Sequence, residues 1–213
     1  MTFDGRVARI SRLAVLIAFP PIFAFAYDRY CANTFYSIAL AYVPVIFGGI
    51  GLVSRPVLDA AAGRTSTRDE FSGKGLLLGS FGAFFLLLIF APQHIDRTAL
   101  VALFLSSVAF YYAVGKAGCL ALGCCRAVVP RRVPLPAIEA LWSFALALVA
   151  LATLSEPTTL RLLTFAALVA AFLALRLFSR CARGTRMRSA LAKPDSIALG
   201  ALVFVFIAMA TLG

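Results

Sequence analysis

The sequence predicts an all-α integral membrane protein with seven transmembrane helices, and three observations support this class. Of the 213 residues, 62% are hydrophobic and 14% are charged, with a mean hydropathy of +0.95. Soluble domains do not have this composition. Apolar runs close to the roughly 20 residues needed to cross a bilayer recur along the chain. The basic residues separate these runs and do not line one amphipathic face.

The apolar runs together form one polytopic membrane domain over residues 1–213. The predicted spans cover residues 11–27, 34–53, 75–91, 98–115, 135–154, 159–178 and 196–212, with boundaries good to several residues. Pro20 and Pro21 lie inside the first span, where a double proline frees backbone carbonyls and predicts a kink or a break. This span ends at Tyr27-Asp28-Arg29-Tyr30 without a small-residue cleavage site, so we expect it to stay in place as a signal anchor.

The distribution of basic residues predicts the orientation of these spans. If successive spans cross the membrane in alternating directions, seventeen Lys and Arg residues lie on one side, and Arg29, Arg97 and Arg161 lie on the other. Cytoplasmic loops carry the excess of Lys and Arg, so the N-terminus is expected in the cytoplasm and the C-terminus outside. With bases arranged between apolar spans, the net charge of +11 favours contact with anionic lipid headgroups and not with nucleic acid.

The stretch from Gly115 to Glu139 holds a candidate site between two apolar runs. Ionisable groups at membrane depth usually mark functional sites. Lys116 could bind an anion, or it could only complement the dipole at a helix C-terminus. Gly118 and Gly123 would allow a ligand close to the backbone. The alternative for the whole stretch is a basic cytoplasmic loop that only sets the topology.

Three cysteines, Cys119, Cys124 and Cys125, lie in this stretch. Zinc sites combine such cysteines with a second pair of ligands. The single histidine, His94, lies in the third loop, which is predicted on the opposite side, so we expect no metal site. Thiol redox chemistry next to Lys116 remains an alternative, as does inert packing of the cysteines at a helix interface.

A second charged pattern follows the sixth span. Arg176, Arg180 and Arg183 recur at spacings of four and three, so they share one helix face. Arg176 falls near the end of the apolar run, where a charge needs a partner or water, although a snorkelling side chain is the alternative. Glu139 lies at a similar depth on the preceding span. We therefore expect an Arg176–Glu139 pair that still offers part of the guanidinium to a phosphate.

A family resemblance covers roughly residues 70–200. The signature region of bacterial prolipoprotein diacylglyceryl transferases resembles Gly115-Lys116-x-Gly118-Cys119-x3-Gly123-Cys124-Cys125, followed by Pro134-x4-Glu139-Ala140. The glycine-rich start of the family's third span resembles Gly73-Lys74-Gly75 through Gly79-x2-Gly82-Ala83. Its Arg-x3-Glu-x2-Arg-Gly pattern resembles Arg176-x3-Arg180-x2-Arg183-Gly184. The family also has seven spans.

The resemblance implies transfer of a diacylglyceryl-type group from an anionic, phosphatidylglycerol-like phospholipid to an acceptor such as a cysteine thiol. It implies a location in the bacterial cytoplasmic (inner) membrane, no cofactor, and a protein or small-molecule thiol as the second partner. The implied catalytic residues are Lys116, Arg176 and Glu139. The implied substrate-binding residues are Gly118, Cys119, Gly123, Arg183 and Gly79.

The sequence departs from the family pattern at several positions. Lys116 replaces the family's arginine, and Leu77-Leu78-Gly79 occupies the place of its histidine, which leaves no evident general base. The charge count also places the signature region on the cytoplasmic side, whereas that of the family faces the periplasm. Two alternatives therefore stand beside the transferase. One is a non-catalytic lipid- or partner-binding membrane module of the same fold, and the other is a membrane thiol redox protein that uses Cys119, Cys124 and Cys125.

Overall fold

The computed structural model describes residues 5–31, 33–61, 73–92, 95–122, 134–182, 187, 191 and 194–212. Within these residues the chain is 93% α-helix and contains no strand, which confirms the predicted all-α class. The long helices of this part of the chain are α1 (Gly5–Cys31), α2 (Thr34–Ala61), α3 (Gly73–Ile89), α4 (Arg97–Leu122), α5 (Leu135–Ala152), α6 (Thr158–Ala182) and α7 (Pro194–Leu212). A 3-10 turn, Thr153–Ser155, directly follows α5.

Among the described residues, three helices are long and apolar enough to cross a membrane. They are Arg97–Ala121 in α4, Leu135–Ser155 in α5 with its following turn, and Thr158–Ala182 in α6. Shorter apolar segments occur at Thr34–Phe47, Gly79–Ile89 and Leu199–Ala208. These helices support a membrane protein, and the count of seven spans stays a prediction.

The end of α4 differs from its predicted position. The predicted span ended near residue 115, but the helix continues to Leu122 and includes Lys116 and Gly118. Its last turns are rich in alanine and leucine, which are strong helix formers, and a single glycine costs only about 1 kcal/mol relative to alanine. Lys116 therefore lies six residues before the helix end. At that distance the helix dipole, which acts within the last turn, does not explain its position.

The double proline does not break the first helix. α1 runs from Gly5 to Cys31 with Pro20 and Pro21 in its interior, so of the two expected outcomes, a kink or a break, the break does not occur. An apolar helix tolerates proline where neighbouring groups satisfy the freed carbonyls. Pro20 nevertheless coincides with a boundary between two compact units of the chain. One unit comprises Met1–Phe19 and Val101–Gly213, and the other comprises Pro20–Leu100.

In the unit Pro20–Leu100, α2 packs against α3. The Tyr36 hydroxyl donates a hydrogen bond to the Phe90 carbonyl oxygen over 2.9 Å, and Ser80 donates to the Pro44 carbonyl oxygen over 3.5 Å. These bonds tie α2 to the residues in and after α3. The unit also contains an apolar cleft of about 730 Å³ between α1, α2 and α3. The described residues that line this cleft carry no charge, so this lining is unsuited to an ionic headgroup.

The start of α4 is fixed by a side-chain cap in the same unit. Asp96 Oδ1 accepts hydrogen bonds from the Thr98 backbone N–H at 2.8 Å, the Thr98 hydroxyl at 2.7 Å and the Ala99 backbone N–H at 3.2 Å. The first backbone N–H groups of a helix lack intrahelical partners, and an aspartate at the N-cap satisfies them.

In the other unit, α6 packs against both α5 and α7. Only one stripe of α5 is buried, and it consists of Leu135, Pro136, Glu139, Ser143, Ala147 and Ala150. Its other faces expose large apolar side chains, among them Leu141 at 73% and Leu148 at 53%. A helix that buries acidic and hydroxyl groups while it exposes leucine suits a hydrocarbon environment and not water.

Arg161 joins the end of α5 to the start of α6. Its Nε donates to the Thr153 carbonyl oxygen over 3.2 Å. Its Nη2 donates to the carbonyl oxygens of Leu154 and Glu156 over 3.2 and 3.0 Å. Carbonyl groups at a helix C-terminus lack intrahelical donors, and this buried guanidinium supplies three hydrogen bonds to them. Arg161 therefore has a structural role in this turn.

Candidate functional site

An ion pair joins α4 to α5 inside the unit that holds Val101–Gly213. Lys116 Nζ lies 2.7 Å from Glu139 Oε2. The Glu139 side chain is 0% exposed and that of Lys116 is 15% exposed. A charge-assisted hydrogen bond of this length is strong, and a low-dielectric surrounding strengthens it further. The pair is what allows a carboxylate to lie on the buried stripe of α5.

Tyr112 lies between Lys116 and a second cation. Lys116 Nζ is 5.2 Å from the centroid of the Tyr112 ring, and Arg176 Cζ is 5.9 Å from the same centroid. Arg176 Nη1 also donates a hydrogen bond to the Tyr112 hydroxyl oxygen over 3.2 Å. Cations within about 6 Å of an aromatic ring are attracted to its face. One buried tyrosine thus holds bases from α4 and α6.

Helical spacing places an aromatic ring and a base on the same face of both α4 and α6. Tyr112 and Lys116 are four residues apart on α4, and Phe172 and Arg176 are four residues apart on α6. Residues at this spacing share a helix face. The rings of Tyr112 and Phe172 pack edge to face with centroids 5.2 Å apart. Both α4 and α6 therefore place an aromatic ring one turn before a base, and the two rings contact each other.

The charged groups lie at similar depths along their helices. Lys116 and Arg176 each lie six residues before the last described residue of their helices, and Glu139 follows the start of α5 by four. At 1.5 Å per residue these offsets are about 9, 9 and 6 Å. The chain enters this region along α4, leaves it along α5 and returns along α6. The three groups thus lie below one end of these three helices.

The cluster has the charge and chemistry of an anion site. We use the name "ionic cluster" for Lys116, Glu139, Arg176 and Tyr112. Two cations and one carboxylate leave one positive charge in excess among these described residues. A guanidinium matches phosphate and carboxylate oxygens with its planar fork, and a lysine adds a compact charge. The ionic cluster can therefore hold a monoanion such as a phosphodiester.

The structure brings together the three residues expected to be catalytic. Glu139 contacts Lys116 at 2.7 Å, a pair that the sequence analysis did not include, and the expected Arg176–Glu139 pair stays a prediction. Tyr112 was not predicted, although its position four residues before Lys116 is a signal that the sequence does contain.

The expected substrate-binding residues are distributed differently. Gly118 is buried and Cys119 is a half-buried free thiol, both on α4 just beyond Lys116. Gly79 is half-buried on α3, in the unit Pro20–Leu100. Two residues, Gly123 and Arg183, lie outside the described residues, as do Cys124, Cys125 and His94. Within the described part of the chain, no group of three His, Cys, Asp or Glu side chains could hold a metal ion.

Comparison with known proteins gives no relative for this chain. It matches no protein-family model, no curated protein and no solved structure. The basis for a function is therefore the ionic cluster and the apolar helices that enclose it.

Proposed function

We propose that the protein is a membrane-embedded lipid-group transferase that resembles prolipoprotein diacylglyceryl transferases. It would move a diacylglyceryl-type group from an anionic phospholipid to a thiol of a protein or a small molecule. The observation that carries this proposal is the ionic cluster, in which Arg176 and Lys116 approach one tyrosine beside a buried glutamate. Two cations at this depth suit the phosphate of a lipid.

The proposed reaction is a displacement at carbon. The thiol sulfur attacks the glycerol carbon that carries the phosphate, so that a C–S bond forms and the C–O bond breaks. The bonding electrons pass to the phosphate oxygen, and the proton of the thiol ends on the phosphate monoester product. Negative charge develops on the phosphate during this step, and cations already in place stabilise it without reorganisation.

Each member of the ionic cluster has a proposed role in this step. Arg176 binds the phosphate through its planar fork, and the Tyr112 hydroxyl orients that fork through the 3.2 Å hydrogen bond. Lys116 supplies the second positive charge. Glu139 holds the Lys116 ammonium in position over 2.7 Å. The proposal includes the finer features expected from the sequence: seven spans, the bacterial cytoplasmic membrane and a cytoplasmic N-terminus.

A transfer assay tests the proposal. The purified protein is mixed in detergent with phosphatidylglycerol and a cysteine peptide, and mass spectrometry detects the peptide with an added diacylglyceryl group. Loss of one group that stabilises developing charge costs roughly 100- to 1,000-fold in rate. We expect that loss for Lys116→Ala, with partial activity for Lys116→Arg because arginine keeps the charge. Arg97→Ala, at an exposed base on the same helix, is the matched control.

Two results would refute the transferase proposal. The first is the absence of modified peptide with the wild-type protein across phosphatidylglycerol, phosphatidylethanolamine and cardiolipin. The second is equal activity of the wild-type protein and Lys116→Ala, since it would show that the ionic cluster takes no part in the transfer.

The ion pair itself favours a second candidate, a lipid-binding module without chemistry. Glu139 neutralises Lys116 at 2.7 Å, and an ion pair of this kind can serve as a fixed element of a binding site. Such a module would retain phospholipid through purification and would yield no modified peptide. The thiol redox alternative, which uses Cys119, Cys124 and Cys125, is distinguished by replacing Cys124 and Cys125 with serine. These two cysteines are not among the expected substrate-binding residues, so their replacement should spare a transferase and abolish redox activity.

A further inference from the structure

Among the described residues, three buried hydroxyls differ from the others. Hydroxyls in helices commonly donate to a carbonyl three or four residues earlier, and five described side chains do so: Ser37, Ser107, Thr153, Ser155 and Thr164. Ser106 Oγ, Ser143 Oγ and Ser179 Oγ are buried and have no hydrogen-bond partner within the described residues. Buried polar atoms without partners are costly, so each calls for an explanation such as a bound ligand.

Two of these hydroxyls, those of Ser143 and Ser179, lie beside the ionic cluster. Ser143 follows Glu139 by one turn on the buried stripe of α5, and each of these residues is 0% exposed. Ser179 follows Arg176 by three residues on α6 and is 1% exposed. Spacings of four and three place these pairs on common helix faces. The hydroxyl groups therefore extend the polar surface of the ionic cluster along α5 and α6.

The two hydroxyls lie at different depths. Ser179 lies three residues, about 4.5 Å, further along α6 than Arg176, and Ser143 lies four residues, about 6 Å, further along α5 than Glu139. Because α5 leaves the region to which α6 returns, these two offsets point to opposite sides of the charged groups. Along the helix axes the order is a hydroxyl, the cations and a second, deeper hydroxyl. A diacyl phospholipid presents oxygen atoms in the same order: the headgroup substituent, the phosphate and the ester carbonyls.

We propose that Ser143 donates a hydrogen bond to an ester carbonyl oxygen of a bound diacyl phospholipid whose phosphate lies at Arg176 and Lys116. Ser179 then faces the polar substituent of the same headgroup. An ether-linked lipid lacks the carbonyl group and would leave the Ser143 hydroxyl without its acceptor. The site therefore prefers ester-linked to ether-linked phospholipids. This inference rests on the lipid-binding part of the proposed function and does not require the transfer step.

A binding experiment with matched lipids tests the inference. Wild-type protein in detergent is titrated with diacyl phosphatidylglycerol and with the dialkyl ether analogue of equal chain length, and native mass spectrometry measures the bound fractions. One hydrogen bond corresponds to about a threefold to tenfold difference in affinity, and we expect the ester-linked lipid to bind more tightly by that factor. Ser143→Ala should remove the preference by weakening the binding of the ester-linked lipid alone.

Ser106→Ala provides the control variant. Ser106 Oγ is also buried and without a hydrogen-bond partner in the described part of the chain, but it precedes Lys116 by ten residues, about 15 Å along α4. We expect this variant to keep the wild-type preference. Ser179→Ala should weaken both lipids equally, because the two share one headgroup.

The outcomes separate this inference from the proposed function. Equal binding of the two lipids by wild-type protein would overturn the inference and leave the transferase proposal intact. A preference that persists in Ser143→Ala would remove Ser143 from the site. If neither lipid binds, both proposals fail. A clear ester preference without any peptide modification would support the inference and refute the transferase.

Discussion

Removal of Lys116 alone should destabilise the protein strongly. In Lys116→Met the side chain keeps most of its length, but the Glu139 carboxylate loses the ammonium that lies 2.7 Å away. Glu139 is 0% exposed, so water cannot replace that partner without a rearrangement of the helices. Breaking one partner of a buried ion pair costs about 3–5 kcal/mol, because an uncompensated charge remains in apolar surroundings.

The double variant Lys116→Met, Glu139→Met should recover most of that loss. Both charges are then absent, and replacement of a buried ion pair by apolar side chains of similar volume is often neutral or stabilising. A double-mutant cycle over the two positions should therefore give a coupling free energy of about 2–3 kcal/mol. The sign of this coupling follows directly from the burial of Glu139.

Thermal unfolding in detergent measures these effects. For a chain of this size, 1 kcal/mol shifts Tm by about 2–4 °C, so Lys116→Met should lower Tm by roughly 6–20 °C. The double variant should melt within about 5 °C of the wild-type protein. Arg97→Met removes an exposed base from the same helix and should change the unfolding free energy by less than about 0.5 kcal/mol. If the two single effects simply add in the double variant, Lys116 and Glu139 do not interact.

Two further predictions concern other basic residues. Arg161→Met removes three hydrogen bonds to carbonyl groups in and after the turn that follows α5, of which the Thr153 carbonyl keeps the Glu156 backbone N–H as a donor. The loss should cost about 3 kcal/mol at roughly 1 kcal/mol per hydrogen bond, and a Tm change below 2 °C would contradict this role. For the topology, an N-terminal reporter should be active in the cytoplasm and a C-terminal reporter outside, and the reverse pattern would refute the positive-inside assignment.

The all-α class could be predicted from the sequence, and so could the positions of α5 and α6, because prolines lie at the starts of these two helices. The predicted spans 135–154 and 159–178 correspond to α5 with its turn and to α6, where Pro134, Pro136 and Pro157 mark the helix starts. Proline fits the first turn of a helix, where its missing N–H is not needed. The end of α4 was not predictable from Gly115 and Gly118, since alanine and leucine around them carry the helix onward.

The depth of the site could be predicted from the sequence, whereas the contact between Lys116 and Glu139 could not. From their positions along the spans, Lys116, Glu139 and Arg176 were expected at similar depths. In the structure Lys116 and Arg176 approach the Tyr112 ring, and Glu139 contacts Lys116. Which cation contacts the carboxylate depends on the rotation of α5 about its own axis. Hydropathy does not report that rotation. The cap formed by Arg161 depends likewise on the chain reversal after α5, which no local pattern reveals.

The structure also bears on how the basic residues should be counted for the topology. Lys116, Arg176 and Arg180 contact Glu139, Tyr112 and Ser196 respectively, and Arg161 binds backbone carbonyls. Side chains held in this way are poor reporters of orientation, because burial and local contacts account for their positions. Without these four bases, the numbers of Lys and Arg residues on the two predicted sides of the membrane change from seventeen and three to fourteen and two. The bias keeps its sign and most of its size, so the predicted cytoplasmic N-terminus does not depend on the bases of the ionic cluster.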